Sequence, residues 1–469
     1  MACVEKQETF NRSVLRIALP VTLQSLLQSS FSVVDQIMVG RLGSESIAGV
    51  GLGGKFSSLY SVLLGAVAAA AAIMISQYMG QNDEKEVRRS FSANFFLALL
   101  LAVIFFTLCV CIPGPIMALY TKDAGTRDAA AGYLRILAFS YVPMAISLLS
   151  ATMLRCMERA VWPLYASLLA AVLNTGLNYV LIFGKGGLPR LGVNGAAAAS
   201  VISQLAACVL TVAALYMHVK RAKATDPAQD FLWDVRKGQM AGSGRRKVLA
   251  QWFGQKKGRQ YLDILLPIIV CEFLWSLGEN IYAAIYGNMG TASCAAMTLT
   301  IPMQTLLIGA LGGISQAAGI LIGKSLGAQA YEKAYRESKK LMLYGFLGSV
   351  LLSVLLMAGR GIYVQIYKVE PEVHTLAGQL LLAFALIAPV KVQNMILGGG
   401  IIRSGGKTNY IMWVDMIGTW CFGVPLGLLA AFVWNLSVPY VYFILSLEEC
   451  VRLAISLAIF KGRKWMRRI

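Results

Sequence analysis

Charge is what this chain has least of. Only 14% of its 469 residues are Asp, Glu, Lys or Arg, and just 2 are histidine, whereas a soluble domain carries about 25% charged residues. A water-facing surface cannot be built from so few charges, which excludes an ordinary soluble fold. The cysteines (Cys3, Cys109, Cys111, Cys156, Cys208, Cys271, Cys294, Cys421 and Cys450) are scattered, with no Cys-x-x-Cys pair. That excludes a disulfide framework and zinc-ligand spacing. No ten-residue alternation of apolar and polar residues occurs, which excludes a β-barrel. A phosphate-binding loop is missing as well. "GILIGKS" (319–325) and "GGGIIRSGGKT" (398–408) end like one, but Ala318 and Ile401 stand where the first glycine is required. The chain therefore carries no nucleotide-driven motor, and an ion gradient is the energy source left to it.

What is present is apolar. Hydrophobic residues make up 57% of the chain, and a helical membrane span needs roughly 20 of them. The runs predict spans at 14–38, 46–75, 91–112, 131–154, 161–184, 194–218, 262–288, 293–322, 339–358, 375–401, 409–432 and 437–460. Repeated glycine and alanine ("GAVAAAAAIM") suits close helix packing in lipid. The fold class is an all-α membrane protein of twelve spans. The opening "MACVEKQETFNRS" lacks the apolar core and cleavage site of a signal peptide, so the first span is expected to stay.

The formal net charge of +19 is distributed by topology. The loop 219–260 is dense in Lys and Arg, and alternate loops carry Lys85, Arg88 and Arg89, then Arg155 and Arg159, then Lys324 and Lys333, then Arg403 and Lys407. The tail "KGRKWMRRI" is basic too, while loops 289–292 and 433–436 hold neither Lys nor Arg. Basic residues stay on the cytoplasmic side. This predicts a multi-pass protein of the cell membrane with both termini and the central loop cytoplasmic, and it removes nucleic acid as a partner.

The halves repeat. "LPVTLQSLLQSSFSVVDQIMVGRLG" aligns with "LPIIVCEFLWSLGENIYAAIYGNMG", placing Pro20 over Pro267, Gly40 over Gly287 and Gly80 over Gly327 at a constant offset of 247. The expected organisation is an N-terminal lobe (1–218), a basic linker (219–260) with a short surface-lying helix, and a C-terminal lobe (261–469). Six spans per half make the repeats parallel, and transporters built this way bind substrate between their halves and alternate access by rocking.

Polar residues inside spans mark function by default. Gln24, Gln28 and Asp35 lie on one helical face, with Ser32 beside them. The fifth span holds Asn174 and Asn178 one turn apart, and the sixth holds Ser200. One carboxylate among neutral oxygens suits a hard cation or a tuned proton site. The plainer readings are an interfacial acid and interhelical hydrogen bonds. In the second half Glu272 and Glu279 share a face with Ser276 and Trp275, and Lys391, Gln393, Asn394 and Asp415 follow. Lys391 needs a partner, which Glu272, Glu279 or Asp415 would supply in a structural ion pair.

Taken together, "VDQIMVGRLG", "LNTGLNYVLIFG", "LGVNGAAAAS", "LRCMERAVWPL", "IIRSGGKTNY" and "PLGLLA" resemble the multidrug and toxic compound extrusion family over nearly the whole chain. They are most similar to its bacterial branch related to DNA-damage-inducible exporters. The resemblance implies a non-enzymatic, monomeric, two-lobed exporter with no cofactor beyond a coupling H+ or Na+, acting on bulky amphipathic, often cationic compounds. It implies a cation or proton site at Asp35, Asn174, Asn178 and Ser200, the first three being the metal ligands if the ion is Na+. Gln24, Gln28, Glu272, Trp275, Glu279, Lys391 and Gln393 are the expected substrate-facing residues. The competing readings are a lipid-linked oligosaccharide flippase, whose cavity should be more basic, and a membrane scaffold that uses its basic loop.

Overall fold

The computed structural model describes residues 2–40, 44–121, 123–184, 189–225, 256–365, 367 and 369–469, with side chains described except at 2–9, 32–37, 40, 44–47, 221–225, 256–257 and 291. The predicted helix within the central linker lies outside these residues. Among the described residues all regular structure is helical. In hydrocarbon a backbone N–H or C=O must find its partner inside the segment, and a helix does this for every residue.

The first half comprises α1 (Ala2–Gly40), α2 (Ser44–Gly80), α3 (Glu84–Cys111), the short α4 (Pro113–Ala118), α5 (Ala124–Leu137), α6 (Tyr141–Cys156), α7 (Val161–Phe183) and α8 (Val193–Thr225). A 3-10 turn at Ala138–Ser140 joins α5 to α6 into one span. The second half comprises α9 (Lys256–Asn288), α10 (Thr291–Gly327), α11 (Tyr331–Gln365), α12 (Pro371–Asn394), α13 (Thr408–Met416), α14 (Val424–Leu428), α15 (Val438–Ser446) and α16 (Glu448–Lys461). Wide π turns extend α12 through Met395–Ile402 and connect α13 to α14 through Ile417–Gly423. The second precedes Pro425, which has no N–H to donate, so the ladder is already loosened there. Ten helices among the described residues are long and apolar enough to cross a membrane. With α1 and the α15–α16 pair they make twelve spans, six in each half.

The chain packs as two compact units. One, here the C-terminal unit, comprises Met1–Ser25, Ser76–Asn82 and Leu262–Ile469. The other, the N-terminal unit, comprises Leu26–Ile75 and Asp83–Tyr261. Continuous helices α1 and α2 thus change units between Ser25 and Leu26 and between Ile75 and Ser76.

Inside the C-terminal unit, the end of α2 crosses the end of α10 at backbone contact. A Cβ on Gly80 would stand 2.0 Å from the Lys324 carbonyl oxygen, and one on Gly327 would stand 2.0 Å from that of Gln77. Gly80 and Gly327 are repeat mates, and so are Gln77 and Lys324. The crossing is a local two-fold contact in which each glycine meets the carbonyl that its mate's helix supplies. Gln77, fully buried, then donates through Nε2 to the Ser404 and Arg467 carbonyls at 2.7 and 3.1 Å. Helix α12 is the centre of this unit, packed by α10, α11, α15 and α16.

In the N-terminal unit α7 and α8 pack along each other, and α8 also packs on α5 and α6. Gly184 ends α7 in the left-handed region (φ 68°), which lets the chain reverse. A Cβ on Gly195 would stand 2.7 Å from the Leu181 carbonyl oxygen, so the opening of α8 lies directly against the close of α7.

Overfilling a packed contact costs about 1–3 kcal/mol. Gly80→Ala and Gly327→Ala should each lower the melting temperature of the purified protein by several degrees. Gly65→Ala, where a Cβ meets nothing within 4 Å, should leave it unchanged.

Candidate functional site

Two polar clusters stand out, one in each unit. In the N-terminal unit, Asn178 Nδ2 donates to Asn174 Oδ1 at 3.1 Å and Asn174 Nδ2 donates to Ser200 Oγ at 3.3 Å. Ser200 Oγ in turn donates to the Ala196 carbonyl at 3.1 Å. Asn178 is fully buried. Three of the four residues expected to form a cation site are thus brought together. The spacing of four in "NTGLN" sets Asn174 beneath Asn178 on one face of α7, and the close α7–α8 packing delivers Ser200.

An apolar layer lies one turn away, made by Val39, Tyr133, Ile182, Ala196 and Ala197. Ile182 is one turn beyond Asn178, and Ala196 is one turn before Ser200. Val39 brings α1 to the same layer. Asp35 is one turn before Val39 on α1, and its side chain lies outside the described residues. Gln28 is exposed in this unit, whereas Gln24, half-buried, belongs to the C-terminal unit.

The C-terminal cluster is charged. Arg452, on α16, stands 3.6 Å from Asp415, 3.6 Å from Glu448 and 3.9 Å from Glu449, and also donates to Thr419 Oγ1. Asp415 accepts from the Cys271 thiol at 2.7 Å. Glu448 accepts from the Tyr282 hydroxyl at 2.5 Å. Glu449 accepts from Asn394 Nδ2 at 2.8 Å and lies 3.9 Å from Lys391 Nζ. Arg403 pairs with Glu272 at 3.4 Å and joins the cluster by donating to Cys271 Sγ at 3.8 Å.

Lys391 therefore has an acidic partner, as expected of a cation in a span, but the partner is Glu449. Glu272 is taken by Arg403 and Asp415 by Arg452. Sequence reasoning passed over Glu448, Glu449 and Arg452. Their signal is "LEECVRL" in the last predicted span, where acids precede a base by three and four residues. Of the other expected substrate-facing residues, Trp275 and Glu279 are exposed on α9. Gln393 is buried and donates to the Met342 carbonyl at 3.0 Å, so its amide is engaged by a neighbouring helix.

A family model for MatE matches residues 20–180 and again 267–429. The chain belongs to the MatE family. The two matched stretches start at repeat mates, Pro20 and Pro267, so each half of this MatE chain carries the family pattern. A probable multidrug resistance protein NorM of Thermotoga maritima is 23% identical over 465 residues, covering 99% of this chain and 95% of that protein. An uncharacterized transporter, YisQ of Bacillus subtilis, is 22% identical and covers 97% of this chain and 94% of its own length. Among solved structures, a crystal structure of MATE in complex with MaL6 superposes with a TM-score of 0.84 at 17% identity, covering 97% of this chain and 96% of that one.

Removing one partner of a buried ion pair costs about 3–5 kcal/mol, because the other charge is left in low dielectric. Arg452→Met should therefore destabilise the protein strongly in thermal unfolding. Combining Arg452→Met with Glu448→Gln should recover part of the loss.

Proposed function

We propose that this MatE protein is an H+- or Na+-coupled antiporter that exports bulky amphipathic, often cationic molecules by rocker-type alternating access. The observation that carries this reading is the Asn178–Asn174–Ser200 chain, one turn from the layer where Val39 anchors α1. Asp35 precedes Val39 by one turn, which supports assigning its carboxylate to these oxygens, and one acid with neutral oxygens is the donor set for a hard cation or a tuned proton. The relative from Thermotoga maritima bears the name of a multidrug resistance protein, which supports export of drug-like compounds. The basic residues of 219–260 and of the tail support a cytoplasmic side for both termini.

In this reading, the ion binds at Asp35, Asn174, Asn178 and Ser200, and the N-terminal unit changes shape as α1 responds. Substrate leaves because ion and substrate prefer different states, which is the only way one ligand displaces another at a distance. Exposed Trp275 and Glu279 share a face of α9, with half-buried Glu272 on the same face. An aromatic face beside carboxylates recognises organic cations. Gln24 and Gln28 extend the polar surface along α1.

The experiment is efflux of a fluorescent organic cation from proteoliposomes under separately imposed sodium and proton gradients. One of the two gradients should drive efflux. Asp35→Asn should abolish it while leaving expression and insertion normal, and undiminished transport by that variant would sink the proposal. Trp275→Ala should weaken binding of the same cation by about two- to thirty-fold, the range expected for loss of a cation–π contact, as read by fluorescence titration.

A further inference from the structure

The segments "YEKAYRESKK" (331–340) and "KGRKWMRRI" (461–469) hold nine Lys or Arg against two acids, Glu332 and Glu337. The fold joins them in the C-terminal unit. Near the end of α16, Phe460 stacks on Tyr335 of α11 and on Trp465, with ring centroids 4.8 and 5.7 Å apart. Arg463 turns the chain in the left-handed region (φ 54°), pairs with Glu332 and lies 4.2 Å from the Tyr335 ring centre. Trp465 is fully buried. The Ile469 amide donates to Gln77 Oε1 at 2.8 Å, and Gln81 Nε2 donates to the Ile469 carbonyl at 3.1 Å. Segment 461–469 is thus fixed by its backbone and its tryptophan, while Lys461, Lys464 and Arg467 stay exposed.

Both acids are already used. Glu332 is taken by Arg463, and buried Glu337 lies 3.8 Å from Lys333 and also faces the charges of Arg336 and Lys340. Lys339 has no acidic partner among the described residues, and its ammonium rests 4.6 Å from the Tyr335 ring centre. Lys339 and Arg463 therefore converge on one ring that stacking holds in place. Cations positioned in advance lose little side-chain freedom when an anion binds.

The helix face that carries these cations continues into an apolar stripe. Arg336, Lys339, Leu343, Leu347, Val350 and Val354 recur at spacings of three and four, so they share one face of α11. All six are exposed. From Leu343 to Val354 the helix rises about 16 Å, the depth of one leaflet of a hydrocarbon core about 30 Å thick. Alongside, the Tyr344 hydroxyl donates to Asn11 Oδ1 at 3.1 Å, which brings the opening of α1 next to this face with Arg12 and Arg16 exposed. Cations at the foot and one leaflet's depth of apolar residues beyond them match an anionic phospholipid. A free anion or an acidic peptide would use the cations and leave the stripe unused.

We propose that this face of α11 is a binding site for one anionic phospholipid. Its phosphate is held by Arg336 and Lys339 with Arg463, and its acyl chains lie along Leu343, Leu347 and Val350. The bound lipid ties segment 461–469 to α11. The inference stands apart from the antiport reading, because it concerns the lipid-facing surface of one unit.

The test is native mass spectrometry of the purified full chain, titrated in detergent with dioleoylphosphatidylglycerol, dioleoylphosphatidylcholine or glycerol 3-phosphate. Wild type should retain one phosphatidylglycerol at concentrations where neither of the others stays bound. Arg336→Gln combined with Lys339→Gln should weaken that binding about thirtyfold, and Lys339→Gln alone about fivefold, from about 1 kcal/mol for each cation near an anionic lipid surface. Lys85→Gln combined with Lys220→Gln removes two exposed cations of the N-terminal unit and should leave the binding unchanged. Equal loss in that control pair, or undiminished binding in the Lys339→Gln protein, overturns the inference. So does a wild type that retains no phosphatidylglycerol, or that retains phosphatidylcholine equally well. Equal retention of glycerol 3-phosphate would mark a free-anion site, and displacement of the lipid by equimolar hexaglutamate would mark a surface for an acidic protein; either result overturns it. If the double variant does not fold, Lys339→Gln and the wild-type comparison decide.

Discussion

A charge buried in hydrocarbon must be closed by partners packed against it, and the C-terminal unit is organised by that demand. Lipid tails are as apolar as leucine, so apolar burial alone does little to choose which face one span presents to another. Directional contacts do the choosing. Arg452 ties α16 to α13 through Asp415 and to the π turn that follows it through Thr419. Glu448 ties α16 to α9 through Tyr282, and Glu449 ties it to α12 through Asn394 and Lys391. Arg403 fixes the π turn after α12 against Glu272 of α9. Rotating any one of these helices by a single residue would strand a charge, so the network sets orientations that a lipid-facing apolar surface leaves open. The N-terminal cluster, built of amides and a hydroxyl, imposes a weaker constraint of the same kind.

How much was legible in the sequence follows from what each feature leaves in it. Spans are legible because the hydrocarbon core demands unbroken apolar length. The repeat is legible because Pro20, Gly40 and Gly80 recur in gapless register, and Gly80 and Gly327 recur for a reason, the backbone crossing of α2 and α10. Asn174, Asn178 and Ser200 were legible because two lie a turn apart and the third opens the adjacent span. Lys391 was legible as a cation in need of an acid, but its partner was not, since spacing along a helix says nothing about which distant helix faces it. Glu448, Glu449 and Arg452 were hidden by the apolar average of their span. The passage of α1 and α2 from one unit to the other was not legible at all. A helix that continues unbroken carries no mark where its neighbours change.

The duplication is therefore one of frame and not of chemistry. Asp35 of the first half aligns with Tyr282 of the second at the offset of 247. Where the N-terminal half has an acid, the C-terminal half has a phenol, and that phenol donates to Glu448 on α16. The acid has moved from the first helix of the repeat to its last, and the repeat position has changed from acceptor to donor. The phenol holds a carboxylate that Arg452 also pairs with. Two copies of one six-helix frame thus carry different chemistry at matched positions. The C-terminal copy is thereby tied together by its ammonium and guanidinium groups, whereas the N-terminal copy is held by neutral amides and a hydroxyl.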